Sequence, residues 1–371
     1  LEARLKISER NYIFLFDSIP SSIVIVDPLG RILNCNYSAE KLFGWRWQEI
    51  AGRDYDEVFR PLKKGSVLAD VLKQAAAGKG PHVETDVPRR CKDGTIRFTY
   101  AAYTALVSSD GENIGWSINE RDLTDRHRLE EKLKDSFDQI KNTQRASIMG
   151  FATLTEYREN ETGAHLKRMQ QFTKVLALGL AKLPKYADYI TEPYIEDLCL
   201  SSVLHDVGKV GISDTILLKP GKLTAEEFER IKQHASFGGD ALRSMDREIA
   251  GRSFLTIGKE IASFHHERWD GTGYPAGLRG DRIPLSARIV ALADVYDALT
   301  SKRPYHDAKE HEEAMNIIAS ERGTHFDPDV VDVFLAEQET FQRIRKWENL
   351  QEHPETIDDL IGGPRRTGTA P

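Results

Sequence analysis

Hydrophobic and polar positions give the chain two textures. Between residues 12 and 122 apolar residues come in short runs broken by turn formers. Ser22–Val26 (SIVIV) reads as a strand, Asp27-Pro28-Leu29-Gly30 as a turn, and Arg31–Asn34 as the strand returning from it. Ser38–Phe43 reads as a helix with Ser38 as its N-cap. Further strands are predicted at Val83–Cys91, Ile96–Val107 and Ile114–Arg121, joined by hairpin turns at Lys92-Asp93-Gly94 and Ser109-Asp110-Gly111. Together they predict an α+β domain on an antiparallel sheet, preceded by a short helix over residues 1–11.

From 125 to 150 the period changes. Leu129, Leu133, Phe137 and Ile140 step by four, four and three, which makes an apolar helical stripe. The stripe suits either a two-stranded coiled coil or a helix packed on its own domain, and a dimerising signal helix is the preferred reading. Beyond 150 the chain reads as helical to about 345, with amphipathic runs at Phe172–Leu183, Tyr194–Leu204, Glu226–Arg243, Ile257–His266 and Ile289–Leu299. A capping box at Thr224-Ala225-Glu226-Glu227 opens one helix, and Asp327-Pro328 opens the last. The tail is expected to be disordered. The predicted organisation is an N-terminal helix (1–11), an α+β domain (12–124), a helical linker (125–150), an all-α domain (151–347) and the tail (348–371).

Length and charge narrow the function. A chain of 371 residues is expected to hold two or three domains at ~150 residues each. Lysine and arginine number 51 against 58 acidic residues, a net charge of −7, which argues against a protein that coats DNA or RNA by general electrostatics. Cys35, Cys91 and Cys199 form no CxxC pair, as expected in a reducing cytoplasm. No run reaches the ~18 apolar residues of a membrane helix. The first methionine is Met149, so the chain is expected to be part of a longer protein in which an upstream anchor is not visible.

The histidines carry the chemistry. Seven of the eleven fall between residues 165 and 311, most of them beside carboxylates. Glu161 and His165 stand four apart, on one face of a predicted helix. His205-Asp206 lies near the end of an apolar helix, shortly before Lys209. His234 lies in Lys232-Gln233-His234, and His265-His266-Glu267 ends another helix just before a glycine-rich loop. Asp294 falls inside an apolar run, where a lone carboxylate is costly unless compensated. Divalent ions shared between these helices would compensate all of them at once. A donor set of nitrogen and oxygen without thiolate suits Fe or Mn, or else Zn, Co or Ni, and fits a multinuclear catalytic site better than a structural zinc.

Two family resemblances follow from these motifs. The segment SIPSSIVIVDPLGRILNCNYSAEKLFGW, with the closing Arg121-Asp122-Leu123-Thr124, resembles the PAS sensor family. The resemblance leaves the ligand unknown, since such domains hold haem, flavin, a metabolite or nothing. His82 reads as a surface histidine and not a haem ligand, and Cys35, in Leu33-Asn34-Cys35-Asn36, lacks the surroundings of a flavin-adduct cysteine. Residues 150–345 resemble the HD-GYP subgroup of the HD phosphohydrolases, which degrade bacterial cyclic di-GMP. The motifs that carry this are HDVGKVGI from His205, LKPGKL from Leu218, HHERWDGTGYP from His265, ADVYDALT from Ala293 and GTHFDP from Gly323.

The second resemblance implies an all-α, metal-dependent bundle with two or three divalent ions, Fe or Mn first. His205, Asp206, His234, His265, His266 and Asp294 would be ligands, with Asp206 bridging, and Glu161 and His165 would hold a third ion. Lys209 and Arg303 would hold phosphate, metal-bound water or Lys209 would be the proton donor to the leaving oxygen, and Tyr274 would shape the pocket. His306 stands where family members often carry Lys or Arg, so a phosphate contact there would titrate near pH ~6.5. The implied function is a sensor-regulated cyclic di-GMP phosphodiesterase yielding pGpG or GMP, a cytoplasmic homodimer through its PAS domain and linker, with GGDEF-type cyclases as candidate partners. A phosphodiesterase for another cyclic dinucleotide such as cyclic GMP-AMP, and a catalytically silent receptor or partner-binding module, are the alternatives.

Overall fold

The computed structural model describes residues 2–59, 68–77, 82–159, 163–249, 251, 253–301 and 308–346. Packing divides the chain into two units, and the division falls within one long helix, between Ile140 and Lys141.

The first unit opens with α1 (Glu2–Ser18), which runs well past residue 11. Tyr12 stacks on Phe16 one turn later, ring centroids 5.7 Å apart, so an apolar run expected to belong to the sheet domain continues the helix. Then come β1 (Ser22–Val26), β2 (Ile32–Cys35), the helices α2 (Tyr37–Phe43), α3 (Trp47–Ile50), α4 (Tyr55–Phe59) and α5 (Leu68–Ala77), and the strands β3 (His82–Arg90), β4 (Ile96–Val107) and β5 (Asn113–Asp122). The strands form one antiparallel sheet in the order β2-β1-β5-β4-β3. Alternation puts Ser22, Val24 and Val26 of β1 and Trp116, Ile118 and Glu120 of β5 on buried positions. The cap of α2 is Asn36 and not Ser38: Asn36 Oδ1 accepts from the amides of Ala39 (3.0 Å) and Ile23 (2.9 Å). Ser38 instead donates to the Ile19 carbonyl at 2.7 Å.

Glu120 brings a charge into this core. It pairs with the buried Arg89 at 2.9 Å and accepts from the Tyr55 hydroxyl, while Arg89 also donates to Tyr103 Oη at 2.8 Å. His82 is half-buried near Tyr103, and burial pushes the Cys35 thiol up to about 12, which makes it an inert core residue. The closing Asp122-x-Thr124 joins sheet to helix. Asp122 Oδ1 accepts from the Thr124 amide at 2.8 Å, and Thr124 Oγ1 accepts from the Phe98 amide at 3.0 Å.

The long helix α6 (Thr124–Glu156) continues past residue 150. Leu129, Leu133, Phe137 and Ile140 are exposed along it, and so are Phe151 and Leu154, whereas Ile148 and Ala152 are buried with Leu166, Leu204 and Leu255. The second unit continues with α7 (Gly163–Ala181), α8 (Glu192–Ser202), α9 (Asp214–Leu217), α10 (Ala225–Arg247), α11 (Phe254–Phe264), α12 (Leu285–Thr300), α13 (His311–Ser320), α14 (Pro328–Ala336) and α15 (Gln338–Arg345). Phe172, Leu176, Tyr296, Phe334 and Phe341 centre its larger core. The Thr224–Glu227 capping box and the Asp327 cap form as the sequence predicts.

Two helices end earlier than expected. Helix α8 stops at Ser202 because the backbone tightens to i→i−3 bonds at Leu204 and His205 and then into a 3₁₀ turn, Val207–Gly211. Helix α11 stops at Phe264, so His265 caps its end. Both histidine pairs therefore sit on turns. No helix among the described residues is long and apolar enough to cross a membrane. The tail, 348–371, lies outside the described residues.

Candidate metal centre

Turns and helix ends aim the histidines. The tightened turn after α8 brings His205 Nδ1 within 2.8 Å of the Ser202 carbonyl. His234, in the middle of α10, places Nδ1 2.6 Å from the Ile231 carbonyl, and His265 places its own 3.0 Å from Ile261 O. A carbonyl accepts only from an N–H, so each Nδ1 is the donor, and in the neutral ring it is Nε2 that carries the lone pair. These three Nε2 atoms converge on Asp206. Its Oδ1 lies 3.2 Å from His234 Nε2 and 3.7 Å from His265 Nε2, and its Oδ2 lies 3.3 Å from His205 Nε2.

The three Nε2 atoms and Asp206 Oδ1 are buried and have no hydrogen-bond partner among the described residues. Inward-facing lone pairs beside a carboxylate repel one another unless a cation lies between them. The donor set thus fits divalent metal on its own chemistry. Ligand atoms of Asp206, His234, His265 and His266 lie within 4.8 Å of one another, and those of Glu156, His165 and His205 form a second such group. Asp294 Oδ1, on α12, lies 3.8 Å from His205 Nε2.

The electrostatics follow the same centre. Burial works against a charged His205, but the Asp206 and Asp294 carboxylates beside it raise its imidazole to about 10, so they call for a positive charge on Nε2 that a proton, or a divalent ion in its place, supplies. Burial also opposes a charged Asp206, yet Lys209 and His205 hold the carboxyl well below the usual range. His266 moves the other way, pushed far down by burial and by His265.

The surrounding backbone is shaped to hold these groups. A Cβ on Gly208 would lie 1.9 Å from the His234 carbonyl oxygen, so glycine lets the Val207–Gly211 turn press against α10. Arg158, just beyond α6, donates to the carbonyls of Lys209 (3.0 Å) and Ile212 (2.9 Å), tying that turn down. Glu267 is no ligand: its buried carboxylate accepts from the amides of Ala276 (2.7 Å) and Leu278 (3.0 Å), which folds the glycine-rich loop back. That loop lays Tyr274 on His266, ring centroids 4.8 Å apart.

The structure brings together His205, Asp206, His234, His265 and His266, with Asp294 beside His205 and Lys209 Nζ 2.9 Å from Asp206 Oδ2. His165, in the first turn of α7, joins Glu156 and His205. Glu161, Arg303 and His306 lie outside the described residues. Sequence reasoning missed Glu156, Arg158, Arg168 and Asp297. Asp297 carried a usable signal, since it shares the apolar helix in which Asp294 was noticed.

Comparison with known families divides the chain in the same way. Residues 160–330 match the HD domain and residues 16–128 match the PAS fold. The chain carries a PAS domain and an HD domain. It is 51% identical over 218 residues to a cyclic di-GMP phosphodiesterase of Vibrio cholerae, covering 59% of this chain and 44% of that protein. A cyclic di-GMP phosphodiesterase of Thermotoga maritima is 43% identical over 182 residues, 49% of this chain and 46% of its own. A 3′3′-cGAMP-specific phosphodiesterase 2 of Vibrio cholerae is 40% identical over 208 residues, 56% of this chain and 37% of its own. The chain spans about half the length of the curated relatives it matches. An HD domain implies divalent-metal binding, and the Asp206 cluster lies within the matched residues.

Proposed function

We propose that this protein is a sensor-regulated phosphodiesterase that hydrolyses the 3′-5′ phosphodiester of cyclic di-GMP to pGpG or GMP. The observation that carries the reading is the set of partnerless Nε2 atoms around Asp206. Relatives named cyclic di-GMP phosphodiesterases support the substrate. In this reading His205, Asp206, His234, His265, His266 and Asp294 would hold two divalent ions, Fe or Mn. His165, with Glu156 or Glu161, holds a third.

When bound, such ions acidify water and neutralise charge on phosphoryl oxygens. The protein's own groups do the rest. Lys209 sets an ammonium beside Asp206, where it pairs with a non-bridging phosphate oxygen and can pass a proton to the departing 3′ oxygen. Arg303 adds a second phosphate contact, and His306 adds one that strengthens as it protonates. Tyr274, stacked on His266, forms a wall of the pocket. A chain of net charge −7 accepts a dianion because positive charge is supplied locally.

Residues 12–124 act as the sensor, 125–150 as the transmitting linker and 151–347 as the catalytic domain, in the cytoplasm. The exposed apolar stripe of α6 supports a homodimer through PAS domain and linker, with GGDEF-type cyclases as further partners. A second reading, cyclic GMP-AMP as substrate, is favoured by the relative specific for it. The test is a product assay with both cyclic dinucleotides, with and without chelator. Linear pGpG or GMP from cyclic di-GMP, lost on chelation, is expected. Faster cleavage of cyclic GMP-AMP would favour the second reading, and binding without cleavage would make the protein a receptor.

A further inference from the structure

Helix α12 carries two carboxylates one turn apart, and they differ in kind. Asp294 is half-buried beside His205, whereas Asp297 is 1% exposed and belongs to neither group of candidate ligands. A carboxylate that deep must have its charge met, and the partners are specific. Arg168 grips it with two bonds, Nε to Oδ1 at 2.6 Å and Nη2 to Oδ2 at 2.9 Å. Ser301 Oγ accepts from Arg168 Nη2 at 2.9 Å and donates to Asp297 Oδ2 at 3.3 Å. The third partner is His165 Nδ1, at 2.7 Å.

The pattern matches what backbone carbonyls do for the other imidazoles, with one change. In His205, His234 and His265 a carbonyl fixes which nitrogen faces inward, and in His165 a side chain does so. Arg168 already neutralises Asp297, so the carboxylate needs no second cation and can accept from a neutral imidazole. With Nδ1 so occupied, Nε2 is the nitrogen left to His165, whose ligand atom lies within 4.8 Å of those of Glu156 and His205.

We propose that the Arg168–Asp297–Ser301 clasp is a positioning device for the His165 ligand, and so governs loading of one metal ion, that of His165 and Glu156, separately from the ions of the Asp206 cluster. This rests on the metal-dependent reading above, but its test does not depend on hydrolysis. Metal bound per chain is measured by elemental analysis and Mn²⁺ titration in the wild type, Asp297→Asn, His165→Ala and the double variant, with folding followed by circular dichroism. Asp297→Asn is expected to weaken one class of ion about 10- to 100-fold and leave the rest in place. Because the effect runs through His165, the double variant should lose no more metal than His165→Ala alone. Ser301→Ala, which keeps every charge, should weaken the same ion class to a lesser degree and guards against a misfolded Asp297→Asn.

Full metal content in both folded variants would overturn the clasp, as would a further loss of metal in the double variant. A wild-type protein that binds no metal would overturn the functional reading as well, and a wild type that loads and cleaves normally beside unaffected variants would overturn the clasp alone.

Discussion

Asp206 is the residue on which the site converges. Three imidazole Nε2 atoms and the Lys209 ammonium all lie within 3.7 Å of its two oxygens. Replacing Asp206 with Ala is expected to cut turnover more than about a hundredfold and to lower metal content in the same sample. Elemental analysis beside a product assay checks this, and a variant with full turnover would remove Asp206 from its role. A second prediction concerns His325, in the GTHFDP segment. Burial, and then Arg268, lower its imidazole to about 4. Its folded value lies below the unfolded ~6.5, so the unfolded chain takes up the proton first. Stability should therefore fall as pH drops from ~6.5 towards 4 and level off below. In His325→Gln the decline of Tm over that window should be shallower. At this scale the candidate ligands were legible in adjacent pairs, His205-Asp206 and His265-His266, because a pair of polar groups interrupts an apolar pattern. Arg168 and Glu267 acquire their roles only through partners distant in sequence or on the far side of a loop, and no local pattern marks them, whereas Asp297 shares with Asp294 the signal of a carboxylate in an apolar helix.

The elements place these residues by ending in particular spots. Helix α8 gives way to a 3₁₀ turn, and that turn carries Asp206 at its cap and Lys209 within it. Arg158 binds two carbonyls of the same stretch from the end of α6, the helix that begins at the sheet's closing Asp122-x-Thr124. Arg158→Ala should leave metal bound while letting Lys209 drift, so KM should rise several-fold with metal content unchanged. Arg158→Lys should not restore it, since one ammonium cannot reproduce a planar fork across two carbonyls. Steady-state kinetics with metal analysis tests the pair. Long amphipathic helices and the five strands were legible in the sequence, because their periods repeat for several turns or alternations. Helices α3 and α4, of four and five residues, were not, because neither is long enough to show a period. The end of α1 was misjudged because an aromatic pair extended a helix through residues that favour strands.

At the scale of the whole molecule, packing divides the chain within α6, and the family matches put the PAS fold at 16–128 and the HD domain at 160–330. The exposed residues Leu129, Leu133, Phe137 and Ile140 step by four, four and three, which suits a coiled-coil seam. Light scattering should give a dimer for the full chain and a smaller mass for Phe137→Glu with Ile140→Glu. A wild-type monomer would leave the stripe without that role. Substrate choice between cyclic dinucleotides was not legible, because the groups that read purine edges follow no motif. On the proposed function, the imidazole and carboxylate cluster binds the ions on which phosphodiesterase activity depends. The most direct measurement returns Mn²⁺ or Fe²⁺ stepwise to chelator-stripped protein without oxygen, and follows bound metal and cyclic di-GMP cleavage together. No cleavage is expected in the stripped protein, and activity should grow until two or three ions are bound per chain. Full cleavage by the stripped protein would contradict it.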